Sequence, residues 1–198
     1  MKPYEPHTFS IPTLDGISTE SVNEHIDLYK AYVKNFNTLS ALIGEYSNDA
    51  TKNALAIAEI IRRRSFEFGG MRLHEIYFAQ FENGAIPPSP DSIFMTHVTE
   101  QYGNSESMVS ALTQVALMRG PGWSLLYWDA TVAQFHIGFA GEQHQGHFAG
   151  LPVIFALDVW EHAFLKDYGA LGKARHIDAF FKNLNWHIVE ERFAAAMK

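Results

Sequence analysis

The segment Leu151-Pro152-Val153-Ile154-Phe155-Ala156-Leu157 is apolar from end to end and runs straight into Asp158. A short unbroken apolar run of this kind predicts a strand buried on both faces, so the chain delivers a carboxylate to the end of a core element. Buried alone, that group would cost several kcal/mol or stay protonated, and a metal ion shared with imidazoles is one of the few partners that offsets the loss of water. His162 follows at i+4. With the chain turning helical after Asp158, this spacing lets both side chains address one point, as two ligands of a single ion would. A helix cap beside an ordinary histidine fits the same spacing, so the pair needs further ligands to mean more.

Composition narrows which ligands and partners are open. With no cysteine there is no disulfide, thiolate ligand or iron–sulfur cluster, which fits a reducing compartment and leaves any metal to His, Asp, Glu or water. A net charge of −7 without a long basic run argues against nucleic acid as a partner, because neutralising phosphates needs clustered Lys and Arg. The one basic cluster, Arg62-Arg63-Arg64, sits at the end of a helical pattern, where cations suit the helix dipole. No apolar run approaches the length of a membrane span, and residues 1–7 lack the apolar core of a signal peptide. The expectation is a soluble, cytoplasmic chain. Its 198 residues, 47% of them hydrophobic, suffice for a sizeable core in one compact unit or two small lobes.

Pro3, Pro6 and Pro12 keep the first 16 residues extended, and Ser18-Thr19-Glu20-Ser21 offers capping chemistry for a long helix to about Tyr46. On it His25, Leu28, Tyr29, Tyr32 and Phe36 share one face, which points a histidine inward. A second helix is expected from Ala54 to about Arg64. A third, Met71 to Glu82 after Gly69-Gly70, again carries a histidine inward, since His74, Tyr77, Phe78 and Phe81 repeat the same spacing. Asn83-Gly84 and Pro87-Pro88-Ser89-Pro90 break regular structure and predict a boundary between a helical lobe, residues 1–86, and a second lobe, residues 91–198. In the second lobe two shorter helices, roughly Asp91 to Tyr102 and Ser105 to Arg119, precede a hairpin of Trp123–Trp128 and Thr131–Phe139 turning at Asp129-Ala130. A Gly- and His-rich loop, 141–150, leads to the opening strand. A short helix to Tyr168 and a closing helix from Arg175 to Met197 complete an α+β chain with a small antiparallel sheet.

With ten histidines in the chain, a single one on an apolar face reads first as an ordinary core or surface residue, and His7, His97, His176 and His187 keep that reading. His25 and His74 are the natural donors to complete a set with Asp158 and His162. Three imidazoles and a carboxylate suit iron, manganese or zinc, and would leave a divalent ion at net +1, which acidifies a bound solvent.

Asp158-Val159-Trp160-Glu161-His162-Ala163 resembles the signature of the iron/manganese superoxide dismutase family, and the resemblance extends along almost the whole chain. Ile17 to His25 resembles the family's approach to its first ligand, Tyr32-Val33-Lys34-Asn35-Phe36-Asn37 the segment of its gateway tyrosine, Gly120-Pro121-Gly122-Trp123 its Gly-Ser-Gly-Trp turn, and Asn185-Trp186 a dipeptide of its last helix. The resemblance implies one Fe or Mn ion per subunit held by His25, His74, Asp158 and His162, with superoxide converted to dioxygen and hydrogen peroxide as the ion cycles. It implies catalytic roles for Tyr32 and for a Gln donating to the solvent at the metal. One family branch takes that Gln from four residues before the second ligand, where this chain has Gly70; Gln143 is therefore the expected donor and His144 the reserve, which leans toward the manganese branch. It also implies a homodimer in which Glu161 bonds His162 across the two-fold axis, and an outer wall of Trp123, Trp160 and Phe78.

Several positions depart from the family's pattern. His25 and Tyr32 are one position closer than usual, Tyr29 stands where a second histidine is common, Phe164-Leu165 replace two tyrosines, and Phe78 replaces a tryptophan. Tyr29 and Leu165 are expected to repack the substrate funnel, with Tyr29 a candidate for proton relay. Two competing readings follow: a fold relative that keeps the metal but serves as a binding or structural module, and another mononuclear non-haem iron enzyme, against which the fourth protein ligand argues.

Overall fold

The computed structural model describes residues 2–198. Ser18 caps α1 (Thr19–Tyr46) by accepting from Ser21 N, and the helix buries His25, Tyr29, Tyr32, Val33 and Phe36 on the face its spacing predicted. A single 3-10 turn, Ser47–Asp49, leads to α2 (Ala54–Ala79), which packs along α1.

Here the structure corrects the sequence reading: the two helices expected on either side of Gly69-Gly70 are one. Glycine weakens a helix interior by about 1 kcal/mol relative to alanine, but packing overrides that propensity. A Cβ at Gly69 would collide with the Gln143 carbonyl, and one at Gly70 would stand 2.5 Å from the Tyr32 ring. Both glycines let other parts of the chain touch the helix backbone.

The shorter helices α3 (Ile93–Tyr102) and α4 (Ser105–Ala116) follow, capped by Ser92 and Asn104. Three antiparallel strands then form a sheet of order β2-β1-β3, with β1 (Trp123–Asp129) in the centre, β2 (Gln134–Ala140) and β3 (Val153–Asp158). The hairpin turn is longer than expected. Residues 130–133 lie outside both strands, with Asp129 Oδ1 accepting from Thr131 N and Ala133 at φ 52°. Strand β3 is almost wholly buried, as its apolar run required. In the register, Trp123 pairs with Ala140 on one side and Asp158 on the other, so the carboxylate and the start of the 141–150 loop emerge at one end of the sheet.

After α5 (Glu161–Tyr168), the closing helix is in fact two, α6 (Lys173–Asn183) and α7 (Trp186–Ala196). The break at Leu184-Asn185 is made by residues that follow α2. Asn185 N donates to Gln80 O and its Nδ2 to Glu82 O, both at 2.8 Å, while its Oδ1 caps α7 at His187 N. Those bonds demand an extended backbone that a continuous helix does not offer. Among the described residues, no helix is long and apolar enough to cross a membrane.

Candidate metal centre

Four elements converge on one point. Helix α1 brings His25, α2 brings His74, β3 ends on Asp158, and α5 begins with Glu161 and His162. Asp158 Oδ2 lies 3.1 Å from His162 Nε2, 3.2 Å from His25 Nε2 and 3.6 Å from His74 Nε2, and one ligand atom from each of the four residues lies within 4.8 Å of every other. Its second oxygen, Oδ1, accepts from Trp160 N at 2.8 Å, which fixes the carboxylate plane.

The histidine chemistry suits a cation. His74 Nδ1 lies 2.6 Å from the Gly70 carbonyl one helical turn back; a carbonyl only accepts, so the hydrogen sits on Nδ1 and Nε2 presents a bare lone pair to the cluster. The Nε2 atoms of His25 and His74 are buried without a hydrogen-bond partner, an arrangement that costs free energy unless something else meets them. Burial lowers His25, and burial together with the neighbouring His25 pushes His74 down to about 3. Burial also opposes ionisation of Asp158, but the His162 and His25 imidazoles outweigh it and hold the carboxyl well below the usual carboxylate range. His162 is more open; burial lowers it, yet Asp158 outweighs burial and raises it. Two neutral buried imidazoles around an ionised carboxylate, with two orphaned nitrogens aimed inward, fit an ion of the iron or manganese type.

Aromatic rings wall the cluster. Phe78 stands edge-on to His25 at 4.9 Å, Trp123 edge-on to His74 at 5.1 Å, and Trp160 stacks on His162 at 6.0 Å. A chain of hydrogen bonds borders it: Trp123 Nε1 donates to Gln143 Oε1 at 2.9 Å, and Gln143 Nε2 donates to the Tyr32 hydroxyl at 3.2 Å. The Tyr32 ring packs 5.1 Å from His74. Gln143 is fully buried, and burial, then the Asp158 charge, push the Tyr32 hydroxyl above its ordinary range, so it keeps its proton. Because the Tyr32 ring fills the space above Gly70, no side chain from that position can take the place of Gln143.

Other predicted residues lie further out. The His144 ring, half-buried, packs on Phe66 at 5.7 Å. Glu161 is exposed on the first turn of α5. The Tyr29 hydroxyl is engaged away from the four donors: it accepts from His7 N at 2.8 Å and donates to Glu75 Oε1 at 3.2 Å, which ties the extended N-terminal segment to α1 and α2. The structure thus gives Tyr29 a strapping contact. Spacing along α1 put it on the inward face but could not say what met its hydroxyl. Leu165 does reach the opening, a pocket of about 260 Å³ lined by Glu24, His25, Leu28, His162, Leu165 and Lys166.

Two residues near the site were missed. His176 on α6 is fully buried, with Nε2 3.1 Å from the Asp158 carbonyl, so it supports the strand end that carries the ligand. Its position beside Ile177 and one turn from Phe180 marks the inward face of α6, a signal present in the sequence. Lys166 lies one turn after His162 and is paired with Glu24 at 2.7 Å and Glu20 at 2.8 Å.

A helical N-terminal region, a three-stranded antiparallel sheet and a largely buried set of three histidines and one aspartate define a mononuclear non-haem metalloprotein. The family described as iron/manganese superoxide dismutases, C-terminal domain, matches residues 90–192. Over 190 residues the chain is 30% identical to the iron superoxide dismutase of Aquifex pyrophilus, covering 93% of this chain and 88% of that protein. It is likewise 30% identical to the iron enzyme of Cupriavidus metallidurans and 28% identical to the manganese enzyme of Mycolicibacterium fortuitum, covering 92% and 84% of those proteins. The chain belongs to the iron/manganese superoxide dismutase family.

Proposed function

We propose that this protein is a superoxide dismutase that holds one iron or manganese ion per subunit on His25, His74, Asp158 and His162. The observation that carries the reading is the convergence of four donors from four elements on one buried point, with His74 Nε2 presented bare. When bound, the ion supplies one-electron redox chemistry, so that two superoxide ions and two protons become dioxygen and hydrogen peroxide.

The chain's own residues do the rest. Its opening admits a small anion past Leu165 and Lys166 to His25 and His162, while Phe78, Trp123 and Trp160 pack against the histidine rings. Tyr32 Oη holds a hydroxyl proton beside the cluster, and Gln143 Nε2, anchored by Trp123, donates to the Tyr32 oxygen and so orients that hydroxyl toward the point where peroxide formation takes up protons from solvent. His176 and Trp160 fix Asp158 from behind.

Glu161, exposed next to His162, supports a homodimer in which it reaches the partner subunit's metal-site histidine, and the acidic, cysteine-free composition supports a cytoplasmic setting. Sedimentation showing a monomer at micromolar concentration would remove the dimer. We also place the lobe boundary within residues 87–90. The test of the central reading is metal content and dismutation measured on one sample: about one ion per chain with robust activity is expected, whereas full metal without activity would leave a metal-binding module instead.

A further inference from the structure

The loop that carries Gln143 has no helix or strand of its own between residues 141 and 150, yet it must keep one amide aligned with Trp123 and Tyr32. Side chains hold it to the sheet. Trp123 and Tyr127 lie four residues apart on β1, hence on the same face of the strand. Their partners, Gln143 and His147, are also four apart. Trp123 Nε1 donates to Gln143 Oε1 at 2.9 Å, and the Tyr127 hydroxyl lies 3.0 Å from His147 Nδ1. A third bond closes the figure, with His147 Nε2 3.2 Å from the backbone carbonyl of Gln143.

The tautomer follows from the partners. A carbonyl only accepts, so Nε2 carries the hydrogen; Nδ1 is then a bare acceptor, and the Tyr127 O–H donates to it. Tyr127 is suited to that task because it is almost wholly buried, and burial pushes its hydroxyl up to about 12, which keeps the proton in place. Phe148 packs on the Tyr127 ring at 5.1 Å, over Gly138, where a Cβ would stand 3.2 Å from Tyr127 and 3.3 Å from Phe148.

We propose that His147 is a positioning residue for the site: with Tyr127 it braces the backbone of Gln143, so that the Gln143 amide stays on Trp123 and Tyr32. It acts through Gln143, since its two ring nitrogens are taken by Tyr127 and the Gln143 carbonyl. The role rests on the dismutase reading for its chemical purpose, but the brace itself is testable without it.

In the metal-free full chain, the exchange rate of the Trp123 indole N–H, assigned with Trp123→Phe in nitrogen–proton correlation spectra, reports how well Gln143 is held. His147→Leu and Tyr127→Phe are expected to speed that exchange about tenfold, the loss of roughly one hydrogen bond, while His147→Gln, which keeps an N–H for the carbonyl, stays within about twofold of the parent. In the metal-loaded chain the first two variants are expected to shift the midpoint potential with metal content unchanged. Tyr127→Phe removes one oxygen and is the safer variant if His147→Leu does not fold. Unchanged indole exchange and potential in Tyr127→Phe would overturn the brace, even with a lowered melting temperature for His147→Leu, since a merely structural role gives only the latter. If the parent binds metal and dismutes nothing, the dismutase reading falls, and the indole result still decides the brace.

Discussion

Two of the four donors, His25 on α1 and His162 on α5, sit within about one helical turn of Leu28, Leu165 and Lys166 at the opening, yet different forces hold the centre and the opening. Asp158 and His74 are wholly buried, and each is tied by a short bond to backbone, Asp158 to Trp160 N and His74 to the Gly70 carbonyl. At the opening, Leu165 is 49% exposed and Lys166 pairs with two glutamates whose side chains are 63% and 75% exposed. In the centre, desolvation makes an unsatisfied donor expensive, so chemistry dictates each residue. At the rim, water screens charge and forgives substitution.

The sharpest way to break that contrast is to alter the centre. Asp158→Asn removes the charge that offsets a bound cation and should weaken metal binding by more than about a hundredfold, read by elemental analysis after dialysis. Retained stoichiometric metal would mean that the cluster is not the site. Next comes the helix that backs it. Gly70→Gln forces a side chain onto the Tyr32 ring, and a loss of about 1–3 kcal/mol is expected in denaturant melts, with dismutation lowered as Tyr32 moves. A variant as stable and active as the parent would show that Gln143 can be replaced from α2.

Acid provides a third probe. His74 and His176 are held near 3 and 4, below the usual histidine range, both chiefly by burial. Below pH 6.5 the unfolded chain takes up protons that the folded chain refuses, so the metal-free protein should lose stability as pH falls from about 6.5 toward 4, by up to about 1.4 kcal/mol per unit for each group. His25, also lowered chiefly by burial, adds to the loss, whereas the stabilisation from His162, raised by Asp158, is lost only as pH rises above 6.5 and holds unchanged across this window. Thermal melts of metal-free protein across that range check the slope; a flat profile would mean that these histidines are open to water.

Residues that do not touch the four donors should respond least. Tyr29→Phe removes the strap to His7 and Glu75 and should cost about 1 kcal/mol while leaving activity and its pH dependence unchanged; a shifted pH profile would restore a proton-relay role. Lys166→Gln should change stability by no more than about 0.5 kcal/mol, since its ion pairs are largely exposed, and act mainly on the salt dependence of kcat/KM. A large stability loss there would erase the distinction between centre and rim.

Much of the centre was legible because its signals are local. The apolar run ending at Asp158, the i+4 step to His162, and the inward histidines of α1 and α2 follow from strand and helix periodicity. Gly69-Gly70 misled the reading, because glycine's weak helix propensity is local while the Tyr32 ring and the Gln143 backbone that press on it come from distant parts of the chain. The break between α6 and α7 was hidden for the same reason, since Asn185 bonds to Gln80 and Glu82 about a hundred residues earlier. His147 reads in the sequence as one more histidine in a glycine-rich loop. Only its distances to Tyr127 and Gln143 separate it from the others.

By itself the sequence determined the donor set, the α+β layout and the family, because donor chemistry and hydrophobic periodicity are written residue by residue. The tertiary structure decided what meets each side chain. It made the double glycine a point of close approach, turned Tyr29 toward the N-terminal segment, set His176 behind Asp158 and stapled the Gln143 loop to β1. Those outcomes depend on contacts between residues far apart in the chain, whose geometry is fixed only when the helices and the sheet pack together.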